Sequence, residues 1–311
     1  MNLKFNLYLI IADTNSLIKN KLIGVNMKNL HSTTIEKPKN FNITDIFDCG
    51  QCFRFNKKGQ NSYVGVAHGK YIEITETSDS IVISSPNEND YREIWHDFFD
   101  MDFDYSECIK GFSFDETLKK AASSASGVRI LHQEHWEALC SFIISQNNNI
   151  PRIKGIIESM CQQLGEHVYT DSEGKKHYSF PTPQSVLNAG EQKIFDLKTG
   201  FRAKYIIDAA KMVCENKINF DDIEKMSTDD ALSKLCEIKG VGPKVASCVL
   251  LFSFRKYDCF PIDVWVKRIL EKYYPDFPGK EYFGKYAGIA QQYLFYYERC
   301  INGIQINKEK K

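Results

Sequence analysis

The chain has 311 residues, 43% of them apolar and 26% charged, and its formal net charge is zero. This is globular material, long enough for two domains or one large composite. Zero net charge excludes recognition of an anionic polymer by overall charge, so any such function must rest on local patches.

The ten cysteines follow no regular framework. Cys140, Cys161 and Cys248 fall on apolar helix faces, the pattern of buried free thiols in a reducing cytoplasm. Cys49-Gly50-Gln51-Cys52 is a lone C-x-x-C without a second pair at zinc-ribbon spacing, so no metal site is expected.

In chain order, residues 1–27 hold one apolar run, Leu7 to Ala12, closed by Asp13. It is too short to span a membrane and lacks a small-residue cleavage pattern. This stretch is either a disordered extension or lies upstream of a true start at Met27. A sheet-rich domain is expected over 28–120. Its strands are Cys52–Asn56, Ser62–Ala67, Lys70–Glu76 and Ser80–Ser84, rich in β-branched and aromatic residues, with His68-Gly69 as a two-residue hairpin turn. Asp100, Asp102 and Asp104 imitate a calcium loop, but the required glycine and terminal glutamate are missing. Phe98, Phe99, Met101, Phe103 and Tyr105 are read as core contacts with the acidic residues outside. His132 and His135 mark a helix entry rather than a metal pair.

A helical domain is expected over 121–311. Trp136, Leu139, Cys140, Ile143 and Ile144 share one helix face, and Ile153, Ile156, Ile157, Met160, Cys161 and Leu164 the next. Between them runs Ser145-Gln146-Asn147-Asn148-Asn149-Ile150-Pro151-Arg152, where Asn149 can cap and Pro151 fits a first turn. Three successive asparagines exceed what one cap needs; they form a solvent-facing turn or a polar loop that enters DNA. Tyr169 to Tyr178 is a surface loop or small hairpin. Thr182 can cap the helix after it. Thr199 to Tyr205 separates two helical pieces, the second burying Ile206, Ala209, Ala210 and Val213. Tyr282 to Arg299 forms the last helix, followed by a solvated, mobile tail after Asn307.

A helix–hairpin–helix is expected over 228–254. Ser227 or Thr228 caps the first helix, Gly240-Val241-Gly242 makes the turn, and Pro243 opens a second helix that buries Val245, Ala246, Val249, Leu250 and Phe252. The N–H groups of the hairpin and the helix N-terminus suit a phosphate. From Lys234 to Lys272 there are eight Lys or Arg against four Asp or Glu. An isolated Gly-x-Gly would be an ordinary helix turn; the surrounding Leu-x-x-Ile-x-Gly-Val-Gly-x-Lys favours DNA phosphate. Lys244 stands in the positive first turn of its helix, where a desolvated lysine loses its proton more readily and becomes a nucleophile. Asp263, after Pro261-Ile262, starts another helical run to Lys272 and can be both a cap and a catalytic carboxylate.

Hairpin, lysine and Pro261-Ile262-Asp263 together resemble the helix-hairpin-helix DNA glycosylase superfamily in its lysine-bearing branch. Gly50-Gln51-Cys52-Phe53, Asn147 to Arg152 and Gly200-Phe201-Arg202-Ala203-Lys204-Tyr205 resemble segments of the eukaryotic-type 8-oxoguanine DNA glycosylases. The resemblance runs from about Asn42 to Arg299. It implies an α+β fold, an N-terminal antiparallel sheet domain followed by helical domains. It implies excision of 8-oxoguanine, preferably opposite cytosine, with strand cleavage by β-elimination through a lysine imine. Lys244 would attack the sugar C1′ and Asp263 would stabilise the developing positive charge. The Gly50 carbonyl would accept from the N7–H that guanine lacks, Gln291 would read the Watson–Crick edge, and Phe295 and Cys248 would cover the two base faces. Asn147, Arg152 and Arg202 would bond the orphaned cytosine, Phe201 would fill the stack, and Gly240 and Gly242 would hold phosphate.

Two positions depart from the family pattern: Trp265 stands where eukaryotic members carry a histidine near phosphate and sugar, and Cys52 replaces a serine. Some relatives carry a four-cysteine iron–sulfur cluster at the C-terminal end. Only Cys259 and Cys300 follow the Lys244 helix, so it cannot be built there. No cofactor is implied. The partner would be duplex DNA containing 8-oxoguanine, bound by a monomer that contacts no membrane. That monomer would be cytoplasmic and nucleoid-associated in a prokaryote, nuclear in a eukaryote. A glycosylase for another lesion, such as an alkylated base, generally lacks the lysine. A binding module without chemistry would not need Lys244 with Asp263.

Overall fold

The computed structural model describes residues 30–302. The expected N-terminal extension and the tail after Asn307 lie outside the described residues. Five antiparallel strands form the first layer: β1 (His31–Glu36), β2 (Asn56–Gly59), β3 (Ser62–Ala67), β4 (Lys70–Glu76) and β5 (Ser80–Ser85), in the order β1-β5-β4-β3-β2. The β3–β4 turn needs left-handed backbone at both central residues, and His68 (φ 49°) and Gly69 (φ 68°) supply it. Tyr63, Ile72, Ile74, Ile81 and Ile83 turn to one face and bury against α1 (Ile43–Asp48) and Trp95, Phe98 and Phe99.

Two sequence expectations change here, and one strand was not expected. β1 has the polar sequence HSTTIE and a mostly exposed face, so it carries no alternation signal; it pairs as an edge strand. The segment expected to begin a strand at Cys52 is instead an irregular loop, and β2 starts only at Asn56. Cys52, Phe53 and Phe55 are all buried, and the preceding Gln51 bonds to the Arg129 carbonyl outside any strand. Asp100 is inside rather than outside. It accepts hydrogen bonds at 2.8 Å from the phenols of Tyr105 and Tyr257, which compensate the carboxylate's burial.

The helices α2 (Tyr105–Gly111) and α3 (Glu116–Ser124) already belong to the helical core. They are followed by α4 (His135–Ser145), α5 (Ile150–Leu164), the hairpin β6 (His167–Thr170) and β7 (Lys176–Tyr178), α6 (Pro183–Ile194), α7 (Ala203–Cys214), α8 (Phe220–Lys225), α9 (Thr228–Leu235), α10 (Pro243–Phe254), α11 (Val264–Tyr273) and α12 (Ala287–Tyr296). Asn149, Thr182 and Ser227 each cap the helix that follows by accepting a backbone N–H. α10 is buried all round from Val245 to Phe254, which makes it the central helix. It crosses α4, where Phe142 stacks on Phe252 at 5.5 Å.

The loop after Gly50 joins the two layers. Arg54 donates to Glu137 of α4 at 3.3 Å and to the Tyr178 carbonyl of β7 at 2.5 Å. Burial pushes the Glu137 carboxyl up and Arg54 pulls it back. Arg54→Ala would leave that carboxylate buried without its partner. Such losses cost about 3–5 kcal/mol, and urea unfolding of the variant should read a loss of that size. A change below about 1 kcal/mol, the usual worth of a surface pair, would count against the clamp.

Candidate active site

The hairpin between α9 and α10 is pinned from behind. Gly240 adopts φ +81°, and a β-carbon there would meet the Tyr205 ring at 2.4 Å, so only glycine fits. The Lys239 N–H donates to Asp208 Oδ2 at 2.8 Å, which spends that donor inside the protein. Gly242 is extended, faces open space and caps α10 without a side chain. The first-turn N–H groups of Lys244 and Val245 therefore carry no side-chain cap, the condition for binding an anion from outside.

Lys244 and Cys248, one turn apart on α10, face one cavity. Asp263 at the start of α11, Gln291 and Phe295 one turn apart on α12, Phe142 of α4, and Cys49 and Gly50 complete it. A wider groove adjoins this cavity, lined by Asn147, Asn148, Gly242 and Trp265. Lys244 and Asp263 line both, so they stand at the mouth where the groove opens into the cavity.

Each wall has a distinct chemistry. Lys244 is half-buried, its ammonium 5.6 Å from the Phe142 ring centroid. Asp263 caps α11 through Oδ1, which accepts the Val266 N–H at 2.8 Å. The cap orients the carboxylate without requiring both of its oxygens. Burial pushes the Cys248 thiol up against the pull of Lys244, so it stays protonated and acts as a wall. Gln291 is 5% exposed and its Oε1 has no hydrogen-bond partner among the described residues. An unpaired buried acceptor costs about 1–3 kcal/mol, and a ligand N–H entering the cavity would remove that cost.

Gly50 has φ +84°, and its loop is held by Gln51, which has no exposure. The Gln51 amide donates to the carbonyls of Ile46 at 3.0 Å and Arg129 at 2.7 Å, and accepts the Leu131 N–H at 2.8 Å. Gln133 returns a bond to the Gln51 carbonyl at 2.8 Å, and Gln292 donates to the Cys49 carbonyl at 3.1 Å.

The loop between α4 and α5 is also fixed. Asn147 has φ 47°, and Asn148 donates to the Ile144 carbonyl at 3.0 Å. Arg152 is exposed, with one long contact of 3.5 Å to the Lys198 carbonyl. Phe201 projects with 49% exposure, and Trp265 with 42%. The guanidinium of Arg268 lies 5.3 Å from the Trp265 ring.

The sequence profile described as "8-oxoguanine DNA glycosylase, N-terminal domain" matches residues 34–139, and that of "HhH-GPD superfamily base excision DNA repair protein" matches residues 140–281. An N-glycosylase/DNA lyase of Saccharomyces cerevisiae is 30% identical over 256 residues, covering 75% of this chain and 68% of its own. A probable N-glycosylase/DNA lyase of Methanothermobacter thermautotrophicus is 31% identical over 238 residues, covering 67% of this chain and 75% of its own. The chain belongs to the eukaryotic-type 8-oxoguanine DNA glycosylases of the HhH-GPD superfamily.

A solved 8-oxoguanine glycosylase/lyase of Clostridium acetobutylicum, in complex with double-stranded DNA containing cytosine opposite to 8-oxoG, superposes with a TM-score of 0.82. It is 37% identical and covers 89% of this chain and 100% of its own.

For this member of the glycosylase family, the structure brings Lys244, Asp263, Gly50, Gln291, Phe295 and Cys248 together in one cavity. It sets Asn147, Gly242 and Trp265 along the adjoining groove. Arg202 is turned inward. It is 2% exposed, and its guanidinium donates to the carbonyls of Gln146, Asn147 and Thr199. Facing those carbonyls, it holds the Asn147 turn instead of presenting its fork to the groove.

Gln51, Gln292 and Phe142 have supporting roles that sequence reasoning missed, because nothing in their local pattern marks the long-range bonds they make. Arg299 carried a usable signal, standing four residues after Phe295 on the same helical path.

Arg202→Ala would strip donors from three carbonyls at once. A loss of about 2–4 kcal/mol is expected in urea unfolding, since bonds to charged groups carry about 1.5–3 kcal/mol each and part of the turn can rehydrate. Arg202→Lys should recover less than half, because one ammonium cannot reproduce the fork.

Proposed function

We propose that this protein is a bifunctional base-excision repair enzyme. It removes 8-oxoguanine from duplex DNA and cleaves the strand at the resulting abasic site. The observation that carries this reading is the position of Lys244 and Asp263 at the mouth between groove and cavity. A nucleotide rotated out of the duplex would lay its sugar at that mouth and its base in the cavity.

The base enters between Phe295 and Cys248. Its Watson–Crick edge meets the unpaired Gln291 amide. Its N7–H donates to the Gly50 carbonyl, where guanine would present a second acceptor and leave the protein's own acceptor unpaired. The neutral amine of Lys244 attacks C1′ as the bond to N9 breaks. Asp263 stabilises the positive charge that develops on the sugar. The Lys244 nitrogen passes a proton to the departing base, the sugar ring opens to an imine, and β-elimination then cleaves the strand.

The enzyme acts as a monomer on duplex DNA. Phosphates lie against Gly240, Gly242 and the start of α10. Phe201 fills the gap in the stack, Asn147 and Arg152 bond the cytosine left behind, and Trp265 contacts the backbone beside the lesion.

Borohydride trapping on a duplex with one 8-oxoguanine opposite cytosine tests this directly. Wild type should give a covalent adduct, with none from undamaged DNA and none from Lys244→Gln. Free base released without an adduct would make water the nucleophile. Neither adduct nor release would remove the 8-oxoguanine assignment.

A further inference from the structure

Arg299 stands just beyond α12, half-buried, with its guanidinium carbon 5.4 Å from the Phe295 ring centroid. Its Nη1 lies 3.1 Å from the point where a β-carbon on Gly50 would sit, and Phe295 Cε1 lies 3.8 Å from that same point. The guanidinium is thus beside the Gly50 loop and against the ring that lines the cavity. Among the described residues it has no hydrogen-bond or ion-pair partner. Its neighbour Glu298 is engaged with Lys272 and Tyr273, both at 2.8 Å. Its donors are therefore available to an acceptor that a bound ligand brings.

The chemistry of the flipped base names that acceptor. On 8-oxoguanine the oxygen at C8 adjoins N7, so with N7–H read by the Gly50 carbonyl, a donor beside Gly50 would be within reach of O8. Breaking the C1′–N9 bond sends its electron pair to N9, and conjugation through C8 moves that charge onto O8. The electrons end on the base, the new bond forms between C1′ and the Lys244 nitrogen, and the proton lost by that nitrogen neutralises the base afterwards.

We propose that Arg299 is a specificity- and rate-determining residue, donating to O8 of the flipped lesion and stabilising the negative charge the base carries as it leaves. This rests on the reading of the cavity as the 8-oxoguanine pocket. Arg299 and Asp263 then act on opposite charges of one transition state, Asp263 on the sugar and Arg299 on the leaving base.

The test separates the two chemical steps in wild type, Arg299→Gln and Arg299→Lys. One assay follows single-turnover release of 8-oxoguanine from a duplex; the other follows strand cleavage at a preformed abasic site, where no base leaves. For Arg299→Gln, release should fall about 10- to 100-fold, at or below the loss of one preorganised donor at a developing anion. Abasic-site cleavage should stay within about twofold of wild type, which also certifies the fold, and Arg299→Lys should recover part of the release rate.

Release at the wild-type rate in Arg299→Gln would overturn the proposal. So would a parallel fall in both steps, or a weaker salt dependence of binding by about one phosphate contact on every duplex tested. A wild type that cleaves abasic sites but releases no 8-oxoguanine would overturn the pocket reading and this proposal with it.

Discussion

The site depends on one buried amide. Gln51 is wholly removed from solvent and joins three separate backbone stretches, around Ile46, Arg129 and Leu131. Its donor and acceptor capacity is used inside the protein, as a group at that depth requires. The adjoining Gly50 is thereby held at positive φ against the cavity. The sheet layer packs on α1, α1 ends at the Gly50 loop, and the loop is stapled to the segment that leads into α4. Removing the amide would leave several buried backbone groups unpaired and free the Gly50 loop at the cavity wall.

The helical layer supplies the chemistry with the same economy. α10 is apolar all round and cannot rotate without exposing its core, so Lys244 and Cys248 have fixed bearings. Asp263 is oriented by its capping bond and Gly240 by the Tyr205 ring above it. Against these satisfied groups, the Gln291 carbonyl and the Arg299 guanidinium have no hydrogen-bond partner among the described residues. Gln291 lines the cavity, and Arg299 lies beside two residues that line it, Gly50 and Phe295. A neutral chain can therefore recognise a damaged nucleotide through placement of a few groups rather than through a general positive field.

Much of this was legible from residue order. The hairpin helices, the Gly240 turn, the Asn149 and Ser227 caps and three of the five strands follow from glycine and proline positions, capping residues and periodicity, all local signals. The pocket set could be named because each member sits in a recognisable motif. What could not be read was non-local. β1 is a polar edge strand defined only by its partner β5. Asp100 is buried because phenols from two distant segments, Tyr105 and Tyr257, converge on it. Arg202 looks like a surface arginine in a loop until the carbonyls of Gln146 and Asn147 are seen to surround it.

The most direct test of the account is a crystal structure of Lys244→Gln bound to a duplex carrying 8-oxoguanine opposite cytosine. The account predicts the lesion outside the stack, between Phe295 and Cys248, with N7 about 2.9 Å from the Gly50 carbonyl oxygen. A lesion still stacked in the duplex, or lodged in the cavity with N7 turned away from Gly50, would contradict it.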